Sequence, residues 1–353
     1  MSGKSIYTAA IIGCGRIGFS LGFDKKREAP ASHTMALLEN KRIKIVAGCD
    51  TFEDNLELWK KYVKKFNRDV KAYSSTRELL EAQKYDIVVI AVNEDSHLQT
   101  ALDVIGSKPR LVILEKPVAL NTEEGNKIVK AAEENHVPVL VNHERRFSED
   151  YKLAKKYIDE GKIGKLQTVN ARLDSGLRVY AKSEEESGAY SLLHDGTHLV
   201  DITMFLLEKS SGQKDVLKNM KITSIVRDEE KADVIRNVTA NFESEKCPDV
   251  NVSISGRSRY FGFEIDVIGT EGRIKIGNGI FDFTRRQQSK LYTGFYSLAA
   301  DKKIKRPKKT RYFSNMIQNA VDFLDGKAEL KSTLQTGMNT LYVLEAMKMR
   351  LGE

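Results

Sequence analysis

Leu114-Glu115-Lys116-Pro117 closes the apolar run Leu111-Val112-Ile113 and concentrates more chemistry than any other short stretch of this 353-residue chain. Lysine and glutamate are rarely buried unless paired, and proline, lacking an N–H, ends strand pairing. An acid, an amine and a proline together suit the place just beyond the carboxyl end of a buried strand, where open α/β sheets bind their ligands. A lysine delivered there can meet a substrate. The plainer alternative is a strand-to-helix turn carrying two solvated charges.

A second motif opens the chain. Gly13-Cys14-Gly15-Arg16-Ile17-Gly18 follows the apolar run Ala9–Ile12. Glycines at this spacing permit a tight turn and close approach of backbone to a pyrophosphate, with the next helix offering its N–H groups. Gly13, Gly15, Arg16, Ile17 and Gly18 are therefore candidate dinucleotide ligands. Asp50 ends the second apolar run and is the candidate for the ribose diol. A carboxylate there favours NAD, with NADP as the alternative, because it repels a 2′-phosphate. Gly18 and Asp50 are 32 positions apart, against roughly 20 in the usual fingerprint. The excess falls at Gly22–Ser32, which holds Lys25, Lys26 and Arg27 and interrupts a helix that resumes at His33. It reads either as a surface insertion or as a loop reaching an anionic group.

The third cluster is His194-Asp195-Gly196-Thr197-His198-Leu199-Val200-Asp201. His194, His198 and Asp201 share one face if the segment is helical. Histidine titrates near neutrality and serves as a general base; a structural role for His198 is the alternative. The pattern is not His-Glu-x-x-His and no further ligand cluster accompanies it, so no metal is expected.

These residues need elements to hold them. Over residues 1–146, short β-branched runs (Ala9–Ile12, Ile43–Ala47, Ile87–Val92, Leu111–Leu114, Val137–Val141) alternate with helical patterns. That alternation predicts an α/β Rossmann domain, a doubly wound parallel sheet covered on both faces. Asn121 and Glu124 mark a helix start over Thr122–Asn135. Residues 147–353 change to alternating runs at Leu166–Leu173, Asp233–Glu243, Val250–Arg257, Phe261–Ile268 and Arg273–Ile276, an α+β domain with antiparallel pairing. A C-terminal helix over 336–351 is a candidate to pack back on the first domain. Hydrophobic content of 41% is globular. No run approaches the roughly 18 apolar residues of a membrane span. Three scattered cysteines and no signal-peptide pattern point to a reducing cytoplasm. The net charge of +8 is mostly interleaved with acids. Its one dense run, Lys302–Arg311, lacks aromatics for base stacking, so neither nucleic acid nor membrane is an expected partner.

Taken in order, these motifs resemble the glucose–fructose oxidoreductase/inositol dehydrogenase family (Gfo/Idh/MocA) over nearly the whole chain. The resemblance rests on Gly13–Gly18, Asp50, Ser96-His97, Glu115-Lys116-Pro117, Asn142–Phe147, Gly161–Gly164, Gly196–Asp201 and Gly269–Gly272. It implies a second domain built on a large open, mostly antiparallel sheet, often used for homodimer or homotetramer contacts. It implies Lys116 on the reacting hydroxyl, His198 as principal acid/base, His194 beside it hydrogen-bonding the substrate or sharing the proton, a Lys116–Pro117 bond that is often cis, Asn93 and His97 near the cofactor, and Glu115 near the cofactor or the lysine. The small-molecule substrate would be a sugar, polyol or sugar derivative, phosphorylated or nucleotide-linked forms included. Two departures stand out. The acid usually four positions before the histidine is replaced by His194, and Asp195, one position later, is rotated about 100° around a helix. Val92-Asn93 replaces the usual Thr-Pro. A non-catalytic NAD(P)-sensing regulator of the same fold is the alternative, which retained Lys116 and His198 argue against.

Overall fold

The computed structural model describes residues 5–181 and 192–351. Contacts divide the chain into two units, Met1–Ser148 with Lys309–Met338, and Glu149–Lys308 with Asn339–Glu353.

The first unit holds a six-stranded parallel sheet: β1 (Tyr7–Ile12), β2 (Ile43–Cys49), β3 (Lys71–Tyr73), β4 (Ile87–Ile90), β5 (Leu111–Leu114) and β6 (Val139–Val141), in the order β3-β2-β1-β4-β5-β6. β4 and β5 are buried at every residue, as strands covered on both faces must be. β3 is absent from the sequence expectation, because three residues are too few to display a period. The helices are α1 (His33–Glu39), α2 (Glu53–Val63), α3 (Thr76–Ala82), α4 (His97–Gly106) and α5 (Thr122–Asn135). Asn121 Oδ1 caps α5 by accepting the Glu124 N–H at 2.9 Å. The return contact of Glu124 goes to the Leu120 N–H at 3.3 Å rather than to the cap residue itself.

The chain between the glycine turn and α1 explains the long spacing to Asp50. In a continuous helix the Ile17 carbonyl would accept from the residue four positions on. It accepts instead from His33, and the Gly18 carbonyl accepts from Thr34 at 2.9 Å. The helix is thus spliced across the insertion, re-entering in hydrogen-bonding register sixteen positions later. Ser32 caps the re-entry through the Met35 N–H. The far side of the insertion is held by Glu28, which accepts from the backbone of Thr310 (2.8 Å) and Arg311 (2.7 Å) and from the Thr310 hydroxyl (3.0 Å).

The second unit carries α6 (Glu149–Asp159), β7 (Leu166–Asp174), β8 (Tyr180–Ala181) and α7 (Leu192–Leu207). Seven more strands follow: β9 (Lys218–Arg227), β10 (Val234–Glu243), β11 (Val250–Ser255), β12 (Gly262–Gly269), β13 (Gly272–Gly277), β14 (Ile280–Gln288) and β15 (Tyr296–Ala300). Together they form one open nine-stranded sheet, ordered β15-β14-β13-β12-β7-β11-β10-β8 with β9 also on β10. Among the described residues only the β7–β11 pair of this sheet is parallel. β9, β14 and β15 escape pattern reading because their exposed faces break the apolar alternation.

One boundary differs from the expected one: α8 (Tyr312–Leu324) packs in the first unit, contributing Phe313, Met316, Ile317, Ala320 and Val321 to its core. The helix expected over 336–351 is α9 (Leu334–Leu351); its start, through Met338, lies in the first unit, where a side chain on Gly337 would meet Val118 and Val141, and from Asn339 it belongs to the second unit, where Leu344, Met347 and Leu351 are buried.

Candidate active site

Every strand of the first unit runs the same way, so the residues that follow the strands share one edge. Gly13 follows β1, Asp50 β2, Asn93 β4, Glu115-Lys116 β5 and Asn142-His143 β6. The order of the sheet reverses between β1 and β4, the switch point at which such sheets bind ligands.

Gly13 has φ +93°, and a side chain there would collide with the Ala91 carbonyl. At Gly18 an added Cβ would overlap the Gly13 carbonyl. Gly15 differs: a Cβ would meet only Asn55 Nδ2, at 3.6 Å. Among the described residues, the N–H groups of Gly15, Arg16 and Ile17 donate to nothing. Open space and unspent donors suit a pyrophosphate, and these residues fit a dinucleotide. Asp50 is nearly buried. Its Oδ2 accepts the Cys14 N–H at 2.7 Å and its Oδ1 the Phe52 N–H at 2.8 Å. Each oxygen keeps a lone pair for a diol. Cys14 is inert filler, its thiol pushed far up by burial and then by the Asp50 charge. Cys49 and Cys247 are also buried and free.

Lys116 stands half-buried at the end of β5, and its ammonium has no hydrogen-bond or ion-pair partner among the described residues. The Lys116–Pro117 peptide is cis. The preceding residue, Glu115, is buried and held by two side chains. His33 Nε2 lies 2.6 Å from Glu115 Oε1, and the Asn142 amide donates to the same oxygen. Burial pushes the Glu115 carboxyl up, but His33, Asn142 and the Lys116 charge more than offset it and leave it below the usual carboxylate range. His143, also buried, is driven well below its ordinary value by desolvation and then by the charges of Arg146 and Lys116. It is a neutral imidazole beside a cation.

His97, expected near the cofactor, is 1% exposed. Its Nδ1 lies 2.7 Å from the Pro117 carbonyl and its Nε2 3.3 Å from that of Val92. It braces the turn after β5 against the end of β4. Asn93 is exposed after β4. Lys25, Lys26 and Arg27 are exposed as well, and Arg27 lies 3.4 Å from Asp24. The basic run Lys302–Arg311 is anchored: Arg306 lies 3.4 Å from the buried Asp150.

In the second unit His198 is half-buried on α7, one turn before the buried Asp201, whose Oδ1 accepts from the Thr340 hydroxyl at 3.5 Å. The side chain of His194 lies outside the described residues. No group of three or more His, Cys, Asp or Glu residues able to hold a metal occurs among the described residues, and no helix there is long and apolar enough to cross a membrane.

Sequence reasoning missed His33, Asn142 and His143 as site residues. The position of Asn142-His143 at the end of the sixth strand could have revealed that pair. His33 gives no such signal, because its place depends on the splice.

A glycine turn with free donors, a buried acid and a lysine at one sheet edge, followed by an open antiparallel sheet, define a two-domain dinucleotide-binding protein. The family model for oxidoreductases with an NAD-binding Rossmann fold matches residues 7–143, and that for the Gfo/Idh/MocA C-terminal domain matches residues 151–275. The chain belongs to the Gfo/Idh/MocA oxidoreductase family. It is 28% identical over 147 residues to scyllo-inositol 2-dehydrogenase (NADP(+)) of Bacillus subtilis, covering 41% of each chain. It is 24% identical over 260 residues to glucose-6-phosphate 3-dehydrogenase of the same organism, covering 70% of this chain and 71% of the relative. The match to the first of these thus spans well under half of its length. Its fold is that of an oxidoreductase from Agrobacterium radiobacter solved with NAD+, L-tartaric acid and magnesium, with a TM-score of 0.73 at 19% identity over 99% of this chain and 97% of that one.

Proposed function

We propose that the chain transfers a hydride between a nicotinamide and a secondary alcohol or ketone carbon of a sugar, polyol or sugar derivative. NAD is the proposed cofactor, with NADP the alternative that one relative's name records. The observation that carries this reading is the Lys116 ammonium, unpaired among the described residues and directly after the buried Glu115 at the edge where the strands end. A cation so placed can donate a hydrogen bond to an alkoxide as it forms, the kind of preorganised electrostatics that dominates many active sites. His198 takes the hydroxyl proton in oxidation and returns it in reduction. Bound nicotinamide supplies the hydride acceptor. An inositol and a glucose phosphate, named for the relatives, support the substrate class.

A spectrophotometric panel of NAD+ and NADP+ reduction tests the reading, using inositols, sugars, sugar phosphates and nucleotide sugars. Lys116→Ala and His198→Ala should each lower turnover by about 10²–10³-fold with NAD binding preserved. Mild effects from both would end the assignment. Absence of turnover across the panel would favour the sensing alternative.

A further inference from the structure

We propose that His33 is a positioning residue for Lys116, acting through Glu115. This rests on the catalytic reading of Lys116 given above. An ionised carboxylate out of water is costly unless hydrogen-bonded, and Glu115 spends both of its contacts on one oxygen. His33 and Asn142 converge on Oε1, and Oε2 has no partner among the described residues. The orientation of the carboxylate beside Lys116 therefore hangs on Oε1.

His33 is built to supply that contact. Its side chain is fully buried. Among the described residues Nδ1 has no partner, while Nε2 lies 2.6 Å from a carboxylate oxygen, so Nε2 donates to Glu115. The ring stands edge-on to Phe313, centroids 5.2 Å apart, which fixes its plane. Its backbone is fixed by the splice: the His33 and Thr34 N–H groups bond the Ile17 and Gly18 carbonyls, and the Thr34 hydroxyl bonds Gly18 while accepting from Trp59 Nε1 at 3.1 Å. One dipeptide thus docks α1 onto the glycine turn and presents an imidazole to the acid that precedes the lysine. His33 reaches none of the reacting atoms; its effect passes through Glu115.

The test compares the full-length chain as wild type, His33→Phe, His33→Gln and Lys116→Ala. Glutamine can carry an N–H to Glu115; phenylalanine cannot. The first readout is steady-state kinetics with the alcohol chosen by the panel above. The second is acylation of Lys116 by an N-hydroxysuccinimide ester, followed by peptide mass spectrometry with Lys127 and Lys130 of α5 as internal references. His33→Phe should lower kcat by about 10–100-fold, the cost of misplacing a reacting group, with the KM for NAD little changed. It should also change the rate of Lys116 acylation, because the residue that precedes the lysine is no longer held and the reach of the amine changes with it. His33→Gln should restore both. Unchanged acylation in His33→Phe, or no recovery in His33→Gln, overturns the proposal. Changed acylation with unchanged kcat supports the link from His33 to Lys116 and overturns the part of Lys116 in turnover. If His33→Phe gives no cooperative melt, His33→Asn, too short to reach Glu115, replaces it.

Discussion

His143 shows how much a single side chain's surroundings decide. Desolvation and the nearby charges of Arg146 and Lys116 hold its folded-state value well below the ordinary 6.5. The sign follows from linkage: the unfolded chain takes up the proton first, so stability present above about pH 6.5 declines as pH falls below it. The slope reaches about 1.4 kcal/mol per pH unit at most. Urea midpoints at pH 7.5 and 5.5 should therefore diverge in the wild type and converge in His143→Gln; equal divergence in both would reject this origin. Asp50 makes a second prediction at this scale. Asp50→Ala removes the acceptor for the Cys14 and Phe52 N–H groups, so it should weaken NAD binding in titration calorimetry and lower the melting temperature together. Loss of binding alone would mean that the two hydrogen bonds do not hold the turn. Lys116, Asp50 and the glycines were legible in sequence because each chemistry is spelled by neighbours in the chain. His33 and Glu115 lie 82 positions apart, and no local pattern joins them.

At the scale of elements, Glu28 ties the insertion to the segment before α8. Burial raises its carboxyl, but donors from Thr310 and Arg311 and the Lys309 charge outweigh that and lower it. Glu28→Ala should release both ends at once. Trypsin should then cut faster after Lys25–Arg27 and after Lys308-Lys309, and the Arg311 amide should exchange faster in deuterium. Cleavage at one site only would show that the two segments are held separately. Element boundaries were read well where several signals agreed, as for α5, with an Asn121 cap and an apolar stripe. They were missed where the structure itself supplies the reason for the element: β9 pairs with β10 along its length, but its mostly exposed side chains leave no alternation to read.

At the scale of the molecule, the first unit is discontinuous in sequence. Asp325, just past α8, accepts from the Tyr7 hydroxyl at 2.7 Å and from both terminal nitrogens of Arg42, at 3.0 and 2.7 Å. Leu140 forms a bridge with Thr333. A chain of residues 1–148 alone would expose the surfaces that α8 buries. It should show no cooperative melt until a peptide of residues 309–338 is added. A cooperative melt without the peptide would show that the return segment is dispensable. The amphipathic face of α8 was legible; which core it serves was not, because periodicity names a buried face and never its partner.

The spliced helix makes length a free variable at one point of the chain. Ile17 and Gly18 bond to His33 and Thr34 as though nothing intervened. Chain added between such fixed ends carries a small closure penalty, about 0.6 kcal/mol for each doubling of loop length. The segment after Phe19 can thus grow, shrink or be exchanged while the ends that seat the glycine turn and His33 stay in place. The fold has a socket beside its nucleotide turn, into which new recognition sequence can be grafted without disturbing Lys116.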